Sequence, residues 1–99
     1  MNQDNIQEIK NKIVPIAKEY GVKKISLFGS FARGEENQNS DIDILLEKSE
    51  KIRGFNFFAF INHLEKSLGR KIDVVTYKEL ENSFLKKYAL KDEIVLYSE

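Results

Sequence analysis

Two aspartates separated by a single isoleucine, in Asp41-Ile42-Asp43-Ile44, carry the first hint of chemistry in this chain. Side chains of a strand alternate between faces, so both carboxylates point one way and both isoleucines the other. Two residue rises set the two aspartate Cα atoms about 6–7 Å apart. Like charges that close repel, and one of the pair tends to hold a proton unless a cation sits between them. Hard carboxylate oxygens suit magnesium, which keeps several waters and binds substrate phosphates as well. By itself, however, the pattern more often describes a half-exposed strand with two solvated aspartates.

Two further pieces share this ambiguity. Gly29-Ser30 follows a β-forming run and precedes Phe31-Ala32-Arg33, which can form a helical turn. Glycine lets a backbone approach a ligand closely, and amides at a helix start favour anions. Alone, the pair also fits an ordinary turn. Asp73 lies within Lys71-Ile72-Asp73-Val74-Val75. It joins the other acids if its strand lies beside Asp41–Leu46; otherwise it is an edge charge that discourages aggregation.

These residues need elements to position them. Ile6, Ile9, Ile13, Ala17 and Tyr20 have helical spacing, with Asn2 or Asp4 to cap the start and Gly21 to stop it. Pro15 predicts a kink or break in that helix. Lys24–Phe28 reads as a strand, Gly34–Ser40 as a polar loop, and Asp41–Leu46 as a second strand. Phe57, Ile61, Leu64 and Leu68 recur at helical spacing before Gly69, and 72–75 forms a third strand. Leu80–Leu90 reads as one helix with Phe84, Leu85 and Tyr88 inward, and Ile94–Tyr97 as a last strand. The fold class is therefore α/β or α+β, a small mixed sheet packed with helices. No internal repeat or low-complexity tract interrupts it.

Composition narrows the function classes. The 99 residues fit one domain spanning 1–99, and 41% hydrophobic content suffices for one core. Sixteen basic and sixteen acidic residues cancel, which argues against a general nucleic-acid binder. There is no cysteine, so disulfides and cysteine-based zinc sites are excluded. No apolar run approaches membrane-spanning length, and the polar first five residues do not resemble a signal peptide, so a cytoplasmic protein is expected.

Taken together the motifs are far more specific than apart. Leu27-Phe28-Gly29-Ser30-Phe31-Ala32-Arg33-Gly34, then Ser40-Asp41-Ile42-Asp43-Ile44-Leu45, resembles the signature of the polymerase β nucleotidyltransferase superfamily. The fuller stretch looks like its minimal nucleotidyltransferase (MNT, MntA-like) subgroup. Gly69-Arg70-Lys71-Ile72-Asp73-Val74-Val75-Thr76 is similar to that subgroup's third-acid strand, and the resemblance spans nearly the whole chain.

The resemblance implies a polymerase β-like core that transfers AMP from ATP by a two-metal mechanism. Asp41, Asp43 and Asp73 would be catalytic and would hold two magnesium ions. Gly29 and Ser30 would hold the β and γ phosphates. Arg33 is either an extra phosphate clamp or a surface partner of Glu35 or Glu36. Ser40 either orients the Asp41 loop or touches phosphate. His63 and the phenylalanines at 55, 57, 58 and 60 read as structural, although four such rings cannot share one helix face, so some should be exposed as a contact patch.

Essentially all of the chain is used by this core, so the acceptor is expected on a partner. In the subgroup it resembles, that partner is typically a HEPN-domain (HepT-like) toxin, which the MNT antitoxin adenylylates on tyrosine. Two alternatives stay open: a module that neutralises its partner by contact alone, and a subunit acting on a small molecule or nucleic acid. Homo-oligomerisation, nucleotide preference and the number of groups transferred are not written in the residues.

Overall fold

The computed structural model describes residues 2–52 and 54–99, with side chains from residue 5 onward. Helix α1 (Asn2–Tyr20) leads into strand β1 (Lys24–Phe28), short helix α2 (Gly29–Arg33) and strand β2 (Ile42–Glu47). Helix α3 (Phe55–Leu68), strand β3 (Ile72–Thr76), helices α4 (Tyr77–Leu80) and α5 (Lys86–Asp92), and strand β4 (Ile94–Ser98) follow.

The four strands form one mixed sheet in the order β3-β2-β1-β4. Strand β1 pairs antiparallel with both β2 and β4, whereas β2 and β3 run parallel. A parallel pair needs a long crossover, and α3 supplies it. Period-two alternation then divides the sheet into two faces. Ile25, Leu27, Ile42, Ile44 and Leu46 point to one face, where α1 and α3 bury them. Asp43, Leu45, Asp73 and Val75 belong to the other, covered only in part by α4 and α5 through Leu80 and Ala89. Among the described residues, no helix is long and apolar enough to cross a membrane.

Helix α1 runs unbroken through Pro15, so of the kink or break expected there the break does not occur. The proline forgoes one hydrogen bond and crowds the preceding turn, at a cost of about 3 kcal/mol. Ile9, Ile13 and Ile16 on the inner side are each at most 6% exposed. Burying each contributes roughly 1.5–3 kcal/mol, which outweighs that cost. Pro15 and Asn11, whose carbonyl loses its partner, both face solvent, where water can serve the carbonyl. At the end of α1, Gly21 has φ +72°, and the N–H groups of Gly21 and Val22 both reach the Ala17 carbonyl, as an αL helix stop requires. Capping by Asn2 or Asp4 falls on side chains outside the described ones.

The segment expected as one helix over Leu80–Leu90 is two helices. Thr76 and Glu79 form a capping box that starts α4 at Tyr77, three residues early. Ser83 then closes a turn, its N–H on the Leu80 carbonyl at 2.9 Å and its Oγ accepting from the Leu85 N–H at 3.1 Å. A serine that serves the local backbone in this way competes with helix propagation. The break turns Phe84, Leu85 and Tyr88 outward, at 87%, 51% and 65% exposed, so the expected inward residues are instead on the surface. Strand β2 begins at Ile42, one residue later than expected, leaving Asp41 at its threshold.

A polar cluster fastens the partly covered face. Ser26, fully buried on β1, donates to Glu93 Oε2 at 2.7 Å and lies 2.8 Å from the Tyr77 hydroxyl, which donates to the same carboxylate. Lys24 Nζ completes the charge balance, 3.4 Å from Glu93. Burial pushes the Tyr77 phenol up, and the neighbouring Glu93 charge adds to the shift. The cluster ties the start of α4 and the approach to β4 onto the central strand.

Because Pro15 is a cost offset elsewhere, Pro15→Ala is expected to stabilise the fold by about 1–3 kcal/mol. Urea unfolding should show a higher midpoint at unchanged slope. An equal or lower midpoint would mean that α1 is built around the proline.

Candidate functional site

Register decides the site. Asp43 pairs across the sheet with Phe28 of β1 on one side and with Asp73 of β3 on the other. The two acids therefore stand directly opposite one another on neighbouring parallel strands, on the same face. Asp41, two residues before Asp43, points to that face as well. The three acids singled out in the sequence are thus brought together, Asp43 half-buried and Asp41 and Asp73 exposed.

Gly29 follows Phe28 and turns the chain over Asp43 with φ +74°. A β-carbon at Gly29 would collide with Asp43 Oδ2 and stand 3.0 Å from its Cγ. Glycine is required twice here, once by the backbone conformation and once by the carboxylate beneath it. Ser30 sits half-buried in the first turn of α2, and its carbonyl accepts the Glu35 N–H at 2.8 Å. Gly29 consequently borders Asp43 directly, with Ser30 next to it in the chain.

The electrostatics follow from this packing. Burial, then the Asp73 and Asp41 charges, push the Asp43 carboxyl up to about 6, and Arg33 partly offsets them. Among the described residues, none donates a hydrogen bond to any of the three carboxylates. Nor, among the described residues, are three acid or histidine side chains drawn tightly enough together to cage a metal by themselves. An open set of hard oxygens in a field of excess negative charge suits a cation whose remaining ligands are water and phosphate.

Arg33 forms the ion pair anticipated with Glu35, Nε to Oε1 at 2.9 Å, and a second with Asp92 of α5, Nη1 to Oδ2 at 2.8 Å. Glu36, the other anticipated partner, instead accepts from Asn5 at 2.9 Å. Arg33 thus links α2 to α5 beside the acids. Ser40 closes the turn before Asp41, its Oγ accepting the Asn37 N–H at 2.9 Å and its own N–H donating to the Asn37 carbonyl at 3.0 Å.

Arg70 was given no role by its residue type alone. Its Nη1 donates to the Ser40 carbonyl at 3.0 Å and to Gln38 at 3.3 Å, and its guanidinium lies 5.1 Å from the Phe31 ring centre. It pins the loop that delivers Asp41. The signal was unreadable beforehand, since the partners are backbone carbonyls some thirty positions away. His63 packs edge-on against Tyr20, 5.9 Å between ring centres, as a structural residue would.

A cavity of about 590 Å³ lies at the far ends of β2 and β3, between Leu46, Phe57 and Tyr77. A second, of about 240 Å³, lies between α1, Phe31 and Arg70 on the opposite side. Neither of these takes in Asp41, Asp43 or Asp73; Asp41 and Asp73 are exposed, and Asp43 is half-buried beneath Gly29.

Comparison with known proteins identifies the family. Residues 11–99 match the family described as polymerase beta nucleotidyltransferase. A Methanocaldococcus jannaschii relative with the provisional name protein adenylyltransferase is 46% identical over 76 residues, 77% of this chain and 82% of its own. The protein adenylyltransferase MntA of Thermococcus cleftensis is 33% identical over 85 residues, 82% of this chain and 86% of its own. A solved complex of a tri-AMPylated Shewanella oneidensis HEPN toxin with its MNT antitoxin has a chain of the same fold, with TM-score 0.67 at 21% identity. That likeness covers 95% of this chain and 73% of the other.

The raised Asp43 carboxyl makes a prediction about stability. Its folded value near 6 exceeds the ordinary 3.8, so between these values the folded state holds more protons than the unfolded state. Stability contributed by the protonated form is present at low pH and lost as pH rises through about 6. In metal-free buffer, Asp43→Asn should therefore exceed the parent by about 1–3 kcal/mol above pH 6, with the gap closing towards pH 4. Parallel urea-stability curves for the two proteins would contradict the assigned repulsion.

Proposed function

Because this chain belongs to the polymerase beta nucleotidyltransferase family, and within it to the minimal nucleotidyltransferases, we propose that it moves AMP from ATP to a hydroxyl of a partner protein. The chain is a nucleotidyltransferase by family; the acceptor, the nucleotide and the residue roles are the reading proposed here. The observation that carries it is the cross-strand pairing of Asp43 with Asp73 beneath Gly29, with Asp41 alongside.

In this reading Gly29 and Ser30 lie along the β and γ phosphates, where a side chain larger than glycine would strike Asp43. Asp41, Asp43 and Asp73 would hold magnesium, two ions in all, which supplies charge neutralisation on the entering and leaving oxygens when bound. Asp73, exposed on β3, would stand next to the attacking hydroxyl and accept its proton. The acceptor oxygen forms a bond to the α phosphorus, the bond from that phosphorus to the bridging oxygen breaks, and pyrophosphate leaves. Arg33 can release the solvent-exposed Glu35 and offer its Nε edge to phosphate oxygens while Nη1 stays on Asp92, since exposed ion pairs are weak. Most of the rate then comes from positioning and charge stabilisation.

A protein acceptor is supported by the exposure of Asp41 and Asp73, by the names of the two curated relatives, and by the solved neighbour in which a HEPN toxin carries AMP. We take the acceptor to be a HEPN-type toxin and this chain to be its antitoxin.

Incubation with magnesium and ATP labelled at the α phosphate, together with the candidate toxin, should label the toxin. Asp41→Asn and Asp43→Asn should each lower the rate on the order of 10²-fold or more while leaving the fold intact. Undiminished transfer by either variant would remove the site assignment. Neutralisation of the toxin by both variants without transfer would replace catalysis with inhibition by contact.

A further inference from the structure

The break between α4 and α5 leaves large apolar side chains in water. Phe84 is 87% exposed, Tyr88 65% and Leu85 51%. Clusters of this kind commonly mark contact surfaces. A second exposed pair, Phe55 and Phe58, lies on α3, at 91% and 69%.

The two patches stand on opposite sides of the sheet. Helix α3 packs through Phe60 and Leu64 under the face that holds Ile42 and Ile44. Helices α4 and α5 pack through Leu80 and Ala89 onto Leu45, which is two residues beyond Asp43 on the acid face. The Arg33–Asp92 ion pair, 2.8 Å, fastens α5 directly to the helix that begins at Gly29 and Ser30. The Phe84 patch therefore lies on the helices that cover the acid face, and the Phe55 patch on the helix that covers the other face.

Charge adds a second distinguishing feature. Lys87 and Lys91 are exposed, lie four residues apart on α5, and have no ion-pair partner among the described residues. Lys86, by contrast, is engaged by Glu81 at 3.1 Å. The patch is thus apolar at its centre and cationic at one edge.

Any protein that brings a hydroxyl to the acid face must cover the surface beside it. Building on the protein-acceptor reading above, we propose that Phe84, Leu85 and Tyr88, edged by Lys87 and Lys91, are the surface on which the acceptor protein docks. The acceptor's complementary surface carries apolar side chains bordered by carboxylates, next to the hydroxyl that is modified. Aromatic anchors of this type supply most of the affinity in protein contacts, and the lysines at the rim steer the encounter.

The test is the initial rate of label transfer as a function of acceptor concentration, with the acceptor protein that the wild-type chain labels. Phe84→Ser with Tyr88→Ser should raise the acceptor KM about tenfold or more, with kcat and the KM for ATP unchanged. Lys87→Glu with Lys91→Glu should raise it several-fold, and more at low salt than at high salt. Phe55→Ser with Phe58→Ser should leave it unaltered. An unchanged acceptor KM in the Phe84/Tyr88 variant, or a raised one in the Phe55/Phe58 variant, overturns the docking surface alone. So does a wild-type dimer that the Phe84/Tyr88 variant dissociates without loss of acceptor affinity, since a second copy then occupies the patch. A wild-type chain that labels no protein removes the protein-acceptor reading, and this surface with it.

Discussion

The parallel pairing of β2 with β3 sets Asp43 opposite Asp73, and much of the molecule is arranged to sustain that contact between like charges. Repulsion between the two works against the pairing, and the half-burial of Asp43 adds to the cost. What holds the strands together lies on the other side of the sheet. Ile42, Ile44 and Leu46 are each at most 1% exposed, packed under α1 and α3. Each buried side chain of that size contributes roughly 1.5–3 kcal/mol, so one strand's inner face outweighs the frustration on its outer face. The division of labour follows from the two-residue period of a strand: one face can be given wholly to packing while the other is left charged and open.

Asymmetric cover of the acid face serves the same end. Near the acids the turn at Gly29 lies over Asp43 while Asp41 and Asp73 are exposed, whereas further along β2 the sheet is covered by Leu80 and Ala89 over Leu45. Between these zones run the polar ties: Ser26 with Tyr77 and Glu93, Arg33 with Asp92, and Arg70 with the loop before Asp41. Each spans elements distant in sequence. The acids are thus held by neighbours rather than by direct hydrogen bonds, which leaves their oxygens available to ligands.

Much of this was legible in the residues. The period-two pattern in Asp41–Leu46 and the helical spacing of the first and third helices reflect strong one-sided burial, and the structure keeps both. The acid triad was readable once Gly29-Ser30 and Asp73 were taken with Asp41 and Asp43, because the combination is far rarer than its parts. Pro15 misled because propensity was outweighed by tertiary packing of the opposite helix face. The segment from Leu80 to Leu90 misled because local side-chain chemistry decided it: a capping box at Thr76 and Glu79, visible in the sequence, starts a helix early, and Ser83 stops it. Arg70 and Glu93 could not be assigned from sequence, since their partners are brought near only by the fold.

The central claim is that Asp41, Asp43 and Asp73 form a single charge cluster that a divalent cation relieves. Carboxyl-carbon NMR of Asp43 through a pH titration, with and without magnesium, tests it most directly. Without the cation, the Asp43 carboxyl should titrate near 6, and nearer to its ordinary 3.8 in Asp73→Asn. Added magnesium should shift the wild-type titration downwards, because the bound cation favours the ionised form. An Asp43 that titrates at its ordinary value, indifferent both to Asp73→Asn and to magnesium, would contradict the account.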